Sequence, residues 1–127
     1  MSGLTLDTGA LIALARNDRA AWAFLRRSVD REEVPVVPTV VVAQAWRGSR
    51  REALLARALN ACQSEVLDDE LARWAGALCG RAGTADIVDA VVVESAAGRH
   101  DIIVTGDPND LRHLAGHATG AMTVVPI

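Results

Sequence analysis

Short apolar runs alternate with helical patterns along this 127-residue chain, and this alternation constrains the fold more than any other feature. The clearest run, residues 101–105, contains Ile102, Ile103 and Val104 in succession, which indicates a strand buried on both faces. Strands of this kind, separated by helices, form parallel sheets that are covered on both sides. The sequence therefore predicts an α/β protein: a three-layer α/β/α sandwich with a short, mostly parallel central sheet.

The same patterns predict the boundaries of the individual elements. Strands are predicted at residues 4–6, 34–37, 65–67, 101–105 and 122–125. Helices are predicted at residues 10–16, 19–29, 40–48, 50–61, 69–80, 84–97 and 108–114. Thr8 is expected to cap the first helix, and Gly80 and Gly98 are expected to end the fifth and sixth. Because no linker or internal repeat interrupts the series, residues 1–127 are predicted to form a single domain.

The composition excludes several classes of protein. Half of the residues are hydrophobic, which argues against disorder, and no apolar stretch approaches the roughly 20 residues that span a bilayer. All 13 basic residues are arginine, which excludes a lysine nucleophile or a Walker lysine. The N-terminus lacks a signal-peptide pattern, so a cytoplasmic protein without membrane association is predicted. Cys62 and Cys79 are expected to be core thiols.

Three aspartates lie at or near junctions between an apolar run and a helical pattern: Asp7, Asp89 and Asp107. The carboxyl ends of parallel strands meet at one crevice, so these side chains are expected to converge. Clustered carboxylates repel one another unless they bind a divalent cation or share a proton. Mg²⁺ and Mn²⁺ prefer oxygen ligands and retain waters, so two or three carboxylates suffice. Such an ion could activate water for attack on a phosphodiester.

Each of these aspartates also has a purely structural explanation. Asp7 fits an N-cap, and Asp107 fits an Asp-Pro turn. Asp89 is predicted to lie inside a helix, where aspartate is a poor helix former, whereas Asp86, one turn earlier, fits a helix start. The expected convergence of the three positions at one edge of the sheet is what favours a metal site.

Four segments of the chain, taken in order, resemble PIN-domain ribonucleases. They are Asp7-Thr8-Gly9, Asp89-Ala90, Ala96-Ala97-Gly98 and Thr105-Gly106-Asp107-Pro108. The resemblance covers essentially the whole chain and is closest to VapC-type toxins of bacterial type II toxin–antitoxin pairs. It implies a Mg²⁺- or Mn²⁺-dependent endoribonuclease that acts on RNA, often tRNA or ribosomal RNA. It also implies a homodimer that is inhibited by a VapB-like antitoxin.

The resemblance assigns roles to individual residues. Asp7, Asp89 and Asp107 match three acidic residues of the family's catalytic metal site. Thr105 matches the hydroxyl residue that usually supports that site, and Asp110 matches a further acidic position frequent among these toxins.

One departure from the family pattern concerns the segment at 40–48, which usually carries a glutamate where this chain has Gln44. Glutamine keeps an oxygen ligand but has neither the negative charge nor the ability to act as a base. We therefore expect lowered metal affinity, with Asp86 or Asp110 partly compensating. The alternative is a degenerate PIN domain that binds RNA or an antitoxin without efficient cleavage.

Arginines and tryptophans supply the remaining candidates for binding. Arg47, Arg50 and Arg51 follow Gln44 and could position an RNA backbone, although a solvated helical face paired with Glu52 explains them equally well. The three tryptophans lie at helical apolar spacing and are expected mainly in the core, and one of them, Trp46, is also a candidate for antitoxin contact. The three histidines are expected on the surface.

Overall fold

A computed structural model describes residues 3–127, without the side chain of Arg51. Its five strands are β1 (Leu4–Leu6), β2 (Val36–Pro38), β3 (Gln63–Glu65), β4 (Ile102–Thr105) and β5 (Thr123–Pro126). They form one sheet in the order β3-β2-β1-β4-β5, and every neighbouring pair is parallel. The sheet is therefore fully parallel rather than mostly parallel.

Seven α-helices and one 3₁₀ turn connect the strands within residues 3–127. The helices are α1 (Thr8–Ala15), α2 (Arg19–Asp30), α3 (Thr39–Ala45), α4 (Ala53–Asn60), α5 (Asp69–Ala82), α6 (Ile87–Arg99) and α7 (Pro108–Ala115), and the 3₁₀ turn is Arg50–Glu52. In this part of the chain, no helix combines the length and the apolar character needed to cross a membrane.

The helices fall into two groups on opposite faces of the sheet. α1 packs against α2, α3 and α4, whereas α6 packs against α5 and α7. Because crossovers between parallel strands are right-handed, the first group covers one face and the second group covers the other. This arrangement confirms the predicted α/β/α sandwich.

Two helices continue past the glycines at which the sequence predicts their ends. α5 includes Gly80 and is capped by Gly83, whose φ is +70°. α6 includes Gly98 and is capped by His100, whose φ is +56°. A left-handed residue stops a helix, whereas a glycine inside one costs only about 1 kcal/mol, so the two glycines do not decide the boundaries.

The third strand also lies earlier than predicted, at Gln63–Glu65 instead of 65–67. Gln63 is the parallel partner of Val36, and its backbone N–H donates to the Pro35 carbonyl at 2.8 Å. Val66, which the prediction places in the strand, is 70% exposed. Pairing with β2, rather than burial of apolar side chains, therefore determines where this edge strand lies.

The aromatic and sulfur side chains divide between core and surface. Trp22 packs against the core and its indole N–H donates to a backbone carbonyl, but Trp46 and Trp74 are exposed, so the prediction of a core position is wrong for these two. Cys79 is buried and Cys62 is half-buried against the core, as expected of core thiols, and burial raises the pKa of the Cys62 thiol to about 12. The three histidines are exposed, as predicted.

α6 is held firmly at its C-terminal end. Its last residue, Arg99, donates to Asp101 at 2.9 Å, to Glu65 at 2.8 Å and to Thr5 at 2.9 Å. The Thr5 hydroxyl in turn donates to Asp101 at 2.7 Å. These bonds join α6 to β1, β3 and the start of β4. They fix the direction of the helix, and with it the position of its first turn at the opposite edge of the sheet.

The strand order reverses between β1 and β4. The chain builds β1, β2 and β3 in one direction and then returns to add β4 and β5 on the other side of β1. In open α/β sheets, ligands bind in the crevice outside the carboxyl ends of the strands at such a reversal. Asp7 follows β1 directly, and Gly106 and Asp107 follow β4 directly, so all three belong to this crevice.

Candidate metal centre

Asp7 lies at the floor of the crevice, where it is only 5% exposed. It is the N-cap of α1: its Oδ1 accepts the backbone N–H of Ala10 at 2.8 Å, so Asp7 takes the capping role predicted for Thr8. Its Oδ2 accepts the hydroxyl of Thr105 at 2.5 Å. Burial raises the pKa of Asp7, these two hydrogen bonds oppose the rise, and the nearby charge of Asp107 adds to it.

Thr105 connects the two loops that form the crevice. It is fully buried at the end of β4, donates to Asp7 and accepts the backbone N–H of Asp107 at 2.9 Å. The two loops also approach closely at a pair of glycines, since a Cβ on Gly9 would lie 3.1 Å from the backbone nitrogen of Gly106. A side chain at residue 9 would push the loops apart, and the sequence alone gave no indication of this contact.

Asp107 does not serve as the helix cap that the Asp-Pro turn suggests. It occupies the N-cap position of α7, but its carboxylate makes no capping hydrogen bond, and Pro108 begins the helix. Asp107 is exposed, as is Asp110 in the first turn of the same helix. The start of α7 therefore places both carboxylates at the crevice, and Asp110 is also favourably placed relative to the helix dipole.

Asp89 lies in the first turn of α6, not in the helix interior that the sequence suggested. The helix begins at Ile87 instead of residue 84 because Asp86 caps it, with its Oδ1 accepting the backbone N–H of Asp89 at 3.4 Å. Carboxylate oxygens of Asp86, Asp89 and Asp110 all lie within 4.8 Å of one another. This is the tightest acidic grouping among residues 3–127.

The environment strongly disfavours charge on Asp89. Partial burial, followed by a hydrogen bond with Asp86 and by the charges of Asp86, Asp7 and Asp110, raises the pKa of Asp89 to about 7. The charge of Asp107 likewise raises the pKa of Asp7, so electrostatic repulsion links all five aspartates of the crevice. Carboxylates in this state are ready to bind a cation, because a positive charge removes the repulsion that each one experiences.

The structure therefore joins the predicted residues differently from the expectation. Asp89 is in direct reach of Asp86 and Asp110, which the sequence suggested only as supporting residues, whereas Asp7 acts on Asp89 through its charge and Asp107 acts in the same way on Asp7. The spacing of three residues between Asp86 and Asp89 is the signal for this arrangement, because positions i and i+3 lie on one helix face.

Gln44 reaches the crevice from α3. Its side-chain carbonyl accepts the hydroxyl of Thr8 at 2.5 Å, and Thr8 follows Asp7 directly. The amide therefore lies beside the first turn of α1 and is held by it. Asparagine and glutamine amides carry no charge, so this position adds an oxygen without adding to the negative potential.

Of the arginines that follow Gln44, Arg47 makes hydrogen bonds within its own segment and Arg50 is exposed. The guanidinium of Arg47 donates to the backbone carbonyl of Trp46 at 3.0 Å, and Glu52 accepts the backbone N–H of Arg47 at 3.0 Å. Arg50 is exposed at the start of the 3₁₀ turn, and the side chain of Arg51 lies outside the described part of the chain. Arg47 thus serves in part to cap the end of α3.

The donor set fits a small hard cation. All the candidate ligands are carboxylate or amide oxygens, which Mg²⁺ and Mn²⁺ prefer, and the partly exposed site leaves room for the waters that Mg²⁺ retains. Asp86, Asp89 and Asp110 could hold the ion directly, with Asp7 and Asp107 on the β1 and β4 side of the crevice.

Comparison with known proteins identifies the family to which this fold belongs. The family model of the PIN domain matches residues 4–116, and the chain therefore belongs to the PIN domain family. Among curated proteins, none matches this sequence. Family membership confirms the resemblance inferred from the sequence.

Solved structures share the fold at low sequence identity. VapBC2 from Rickettsia felis, bound to a promoter DNA fragment, has a TM-score of 0.74 at 10% identity, with 98% of each chain covered. A toxin–antitoxin complex from Klebsiella pneumoniae has a TM-score of 0.69 at 19% identity, with 98% of this chain and 96% of the other covered. DNA-bound VapBC from Salmonella typhimurium has a TM-score of 0.68 at 14% identity, with 99% and 98% covered.

Proposed function

We propose that this protein is a metal-dependent endoribonuclease and the toxin of a type II toxin–antitoxin pair, cleaving structured RNA such as tRNA or ribosomal RNA to arrest translation. The observation that carries the proposal is the group of five aspartates at the reversal of strand order, with Asp89 raised in pKa to about 7. PIN domains are typically metal-dependent nucleases, and the similar folds include toxin–antitoxin complexes.

The residues divide into ligands and positioning groups. Asp7, Asp89 and Asp107 are the catalytic metal ligands that the family pattern proposes, and Asp86 and Asp110, whose carboxylate oxygens lie within 4.8 Å of those of Asp89, are further ligands available to the same ion. Thr105 holds the Asp7 carboxylate by donating to Oδ2 and holds the Asp107 loop by accepting its N–H. When bound, Mg²⁺ or Mn²⁺ would supply an activated water and neutralise charge on the phosphate.

RNA itself must approach an acidic crevice, so a positive surface is needed nearby. We propose that Arg47, Arg50 and Arg51 provide it by contacting the RNA backbone. Contacts to phosphate make affinity fall steeply with salt concentration. The measurement is therefore RNA affinity as a function of salt for Arg50→Ala, with Arg73→Ala, whose guanidinium already pairs with Asp69 at 2.9 Å, as the matched control.

The cleavage experiment uses purified protein, bulk bacterial tRNA and ribosomal RNA, and Mn²⁺ or EDTA, with the RNA ends sequenced after reaction. We expect cleavage that depends on Mn²⁺ and is lost in Asp7→Asn and Asp89→Asn but retained in Asp69→Asn, an exposed carboxylate remote from the crevice. If the protein binds RNA in EDTA but does not cleave it in Mn²⁺, the proposed nuclease activity is wrong. That result would support the alternative, a degenerate PIN domain that binds RNA or an antitoxin without efficient cleavage. Gln44 is the observation that favours this alternative.

We further propose a VapB-like antitoxin as partner, a homodimer as the functional state and the cytoplasm as the location. Trp46, which is 39% exposed at the end of α3, is the proposed point of antitoxin contact. Co-expression with the small protein encoded next to this one would test the pair, since Trp46→Ala should weaken co-purification while Trp74→Ala should not. Light scattering after size-exclusion chromatography would test the dimer.

A further inference from the structure

Two hydrogen bonds join α7 and the turn that follows it to the C-terminal end of α5. Nε2 of the His113 imidazole, on α7, contacts the backbone carbonyl of Ala82, the last residue of α5, at 2.9 Å. In the opposite direction, the guanidinium of Arg81 donates through Nε to the backbone carbonyl of His117 at 3.1 Å. The rings of His113 and His117 lie edge to face, with 5.2 Å between their centroids. Each of the two segments therefore holds the other through a side chain.

The Ala82 carbonyl determines which ring nitrogen of His113 carries hydrogen. A carbonyl oxygen only accepts, so Nε2 of His113 is the donor. The last four carbonyls of an α-helix have no partner within the helix, and Ala82 is the last residue of α5. His113 therefore supplies a donor that α5 cannot provide for itself.

This hydrogen bond links the two segments that carry candidate metal ligands. Asp110 lies three residues before His113, and positions i and i+3 lie on the same face of a helix. On the other side, Ala82 precedes Asp86 by one short loop, which begins at Gly83 in the left-handed conformation. The carboxylate oxygens of Asp86 and Asp110 lie within 4.8 Å of each other. The imidazole therefore fastens together the supports of two neighbouring carboxylates.

The other hydrogen bonds of the loop between α5 and α6, residues 83–86, are local. The Thr84 hydroxyl accepts the backbone N–H of Asp86 at 3.2 Å, and the thiol of Cys79 donates to the Asp86 carbonyl at 3.7 Å. Both bonds shape the loop, but neither reaches α7. The position of the loop relative to α7 is therefore set where His113 holds the end of α5.

We propose that His113 is a positioning residue of the metal centre: it holds the loop that carries Asp86 against α7, so that Asp86 and Asp110 face the same ion. The imidazole is bound to a backbone carbonyl, so it acts through Asp86 and is not itself a ligand. The effect on metal rests on the proposed function, whereas the attachment of the loop can be measured in the metal-free protein.

Three variants separate the hydrogen bond from a general loss of stability. His113→Gln places an amide nitrogen near the position of Nε2 and can still donate to Ala82, whereas the shorter His113→Asn carries the same amide but does not reach the carbonyl. Trp22→Phe is the matched control. It also removes a ring N–H from a backbone carbonyl, that of Leu14 at 3.1 Å, but at the end of α1 that lies away from the crevice.

The measurements are amide hydrogen exchange of the full-length protein in EDTA and calorimetric titration with Mn²⁺, both at pH 8. We expect faster exchange at residues 83–89 in His113→Asn, and Mn²⁺ binding about fivefold weaker, which is the loss that one ordinary hydrogen bond gives. His113→Gln should restore both properties. Trp22→Phe should lower Tm and leave both properties unchanged.

Equal Mn²⁺ affinity of His113→Asn and the wild type would overturn the proposal, even if exchange differs. Failure of His113→Gln to restore the affinity, or an equal loss in Trp22→Phe, would overturn it as well. Failure of the proposed function gives a different result, because the wild type itself would then not bind Mn²⁺. In that case the exchange in EDTA decides alone, and unchanged exchange at residues 83–89 in His113→Asn shows that His113 does not hold the loop.

Discussion

Replacement of Asp89 by asparagine should make the metal-free protein more stable. The rise in its pKa from 3.8 to about 7 corresponds to about 4 kcal/mol of unfavourable free energy for the charged form. Solvent screening of this half-buried group reduces the figure to about 1–2 kcal/mol. The variant also loses the favourable interaction of the Asp89 charge with the N-terminus of α6, which lowers the expected gain in stability by about 0.5 kcal/mol. A net gain of about 1 kcal/mol corresponds to a rise of about 4 °C in Tm for a domain of this size.

The pH dependence of this effect has a defined sign. Between pH 3.8 and about 7 the folded state binds more protons at Asp89 than the unfolded state does, so the wild type gains stability as the pH falls through this window. Asparagine does not titrate. The stability advantage of Asp89→Asn should therefore be present at pH 8 and should disappear near pH 4.

Metal should reverse the order of stability. Mn²⁺ at a hundred times its dissociation constant stabilises the wild type by about 2.7 kcal/mol, whereas the variant has lost a ligand. The assay is thermal unfolding at pH 8 and pH 4.5 in EDTA, repeated at pH 8 with Mn²⁺, with Asp69→Asn as the control. A variant that is less stable than the wild type at pH 8 in EDTA, or that keeps the full stabilisation by Mn²⁺, would refute the reasoning.

The other predictions concern residues around the crevice and the anchor of α6. Thr105→Val leaves Asp7 without its hydroxyl donor and should lower both stability, by about 1–3 kcal/mol, and Mn²⁺ affinity, as measured by urea unfolding and calorimetric titration; Thr119→Val, on an exposed loop, is the control. Gln44→Glu should tighten Mn²⁺ binding and raise RNA cleavage, and if it leaves both unchanged, the missing charge is not what weakens the site. Arg99→Met should destabilise the fold by about 3–5 kcal/mol in urea, because Asp101 is then buried without its partner, and a change below 1 kcal/mol would contradict this role.

The sequence was sufficient for the fold because four of the five strands have a simple local signal, and the fifth, the edge strand β3, lies only two residues from its predicted position. The run Ile102-Ile103-Val104 and the helices between the strands predicted a parallel sheet, and the sheet is parallel throughout. Element ends were less predictable, since left-handed caps at Gly83 and His100 decide where α5 and α6 stop. A left-handed cap depends on contacts made after the helix, which periodicity does not report.

The sequence could predict which aspartates belong to the site but not which of them lie next to one another. Sequence placed Asp7 and Asp107 at strand ends, and the strand order put both beside the crevice. It did not show that Asp86 would cap α6 and so bring itself next to Asp89 and Asp110, because that depends on how α6 and α7 pack together. Trp74 was misjudged for a related reason: helical spacing indicates a face, but not whether another element covers it.

The central claim is that the aspartates of this crevice hold a divalent metal. The most direct measurement is a crystal structure of the protein with Mn²⁺, located by its anomalous scattering. The account predicts one strong anomalous peak in contact with Asp89 and at least one other aspartate of the crevice, and its loss in Asp89→Asn. Absence of a peak at saturating Mn²⁺, or a peak only outside the crevice, would contradict it.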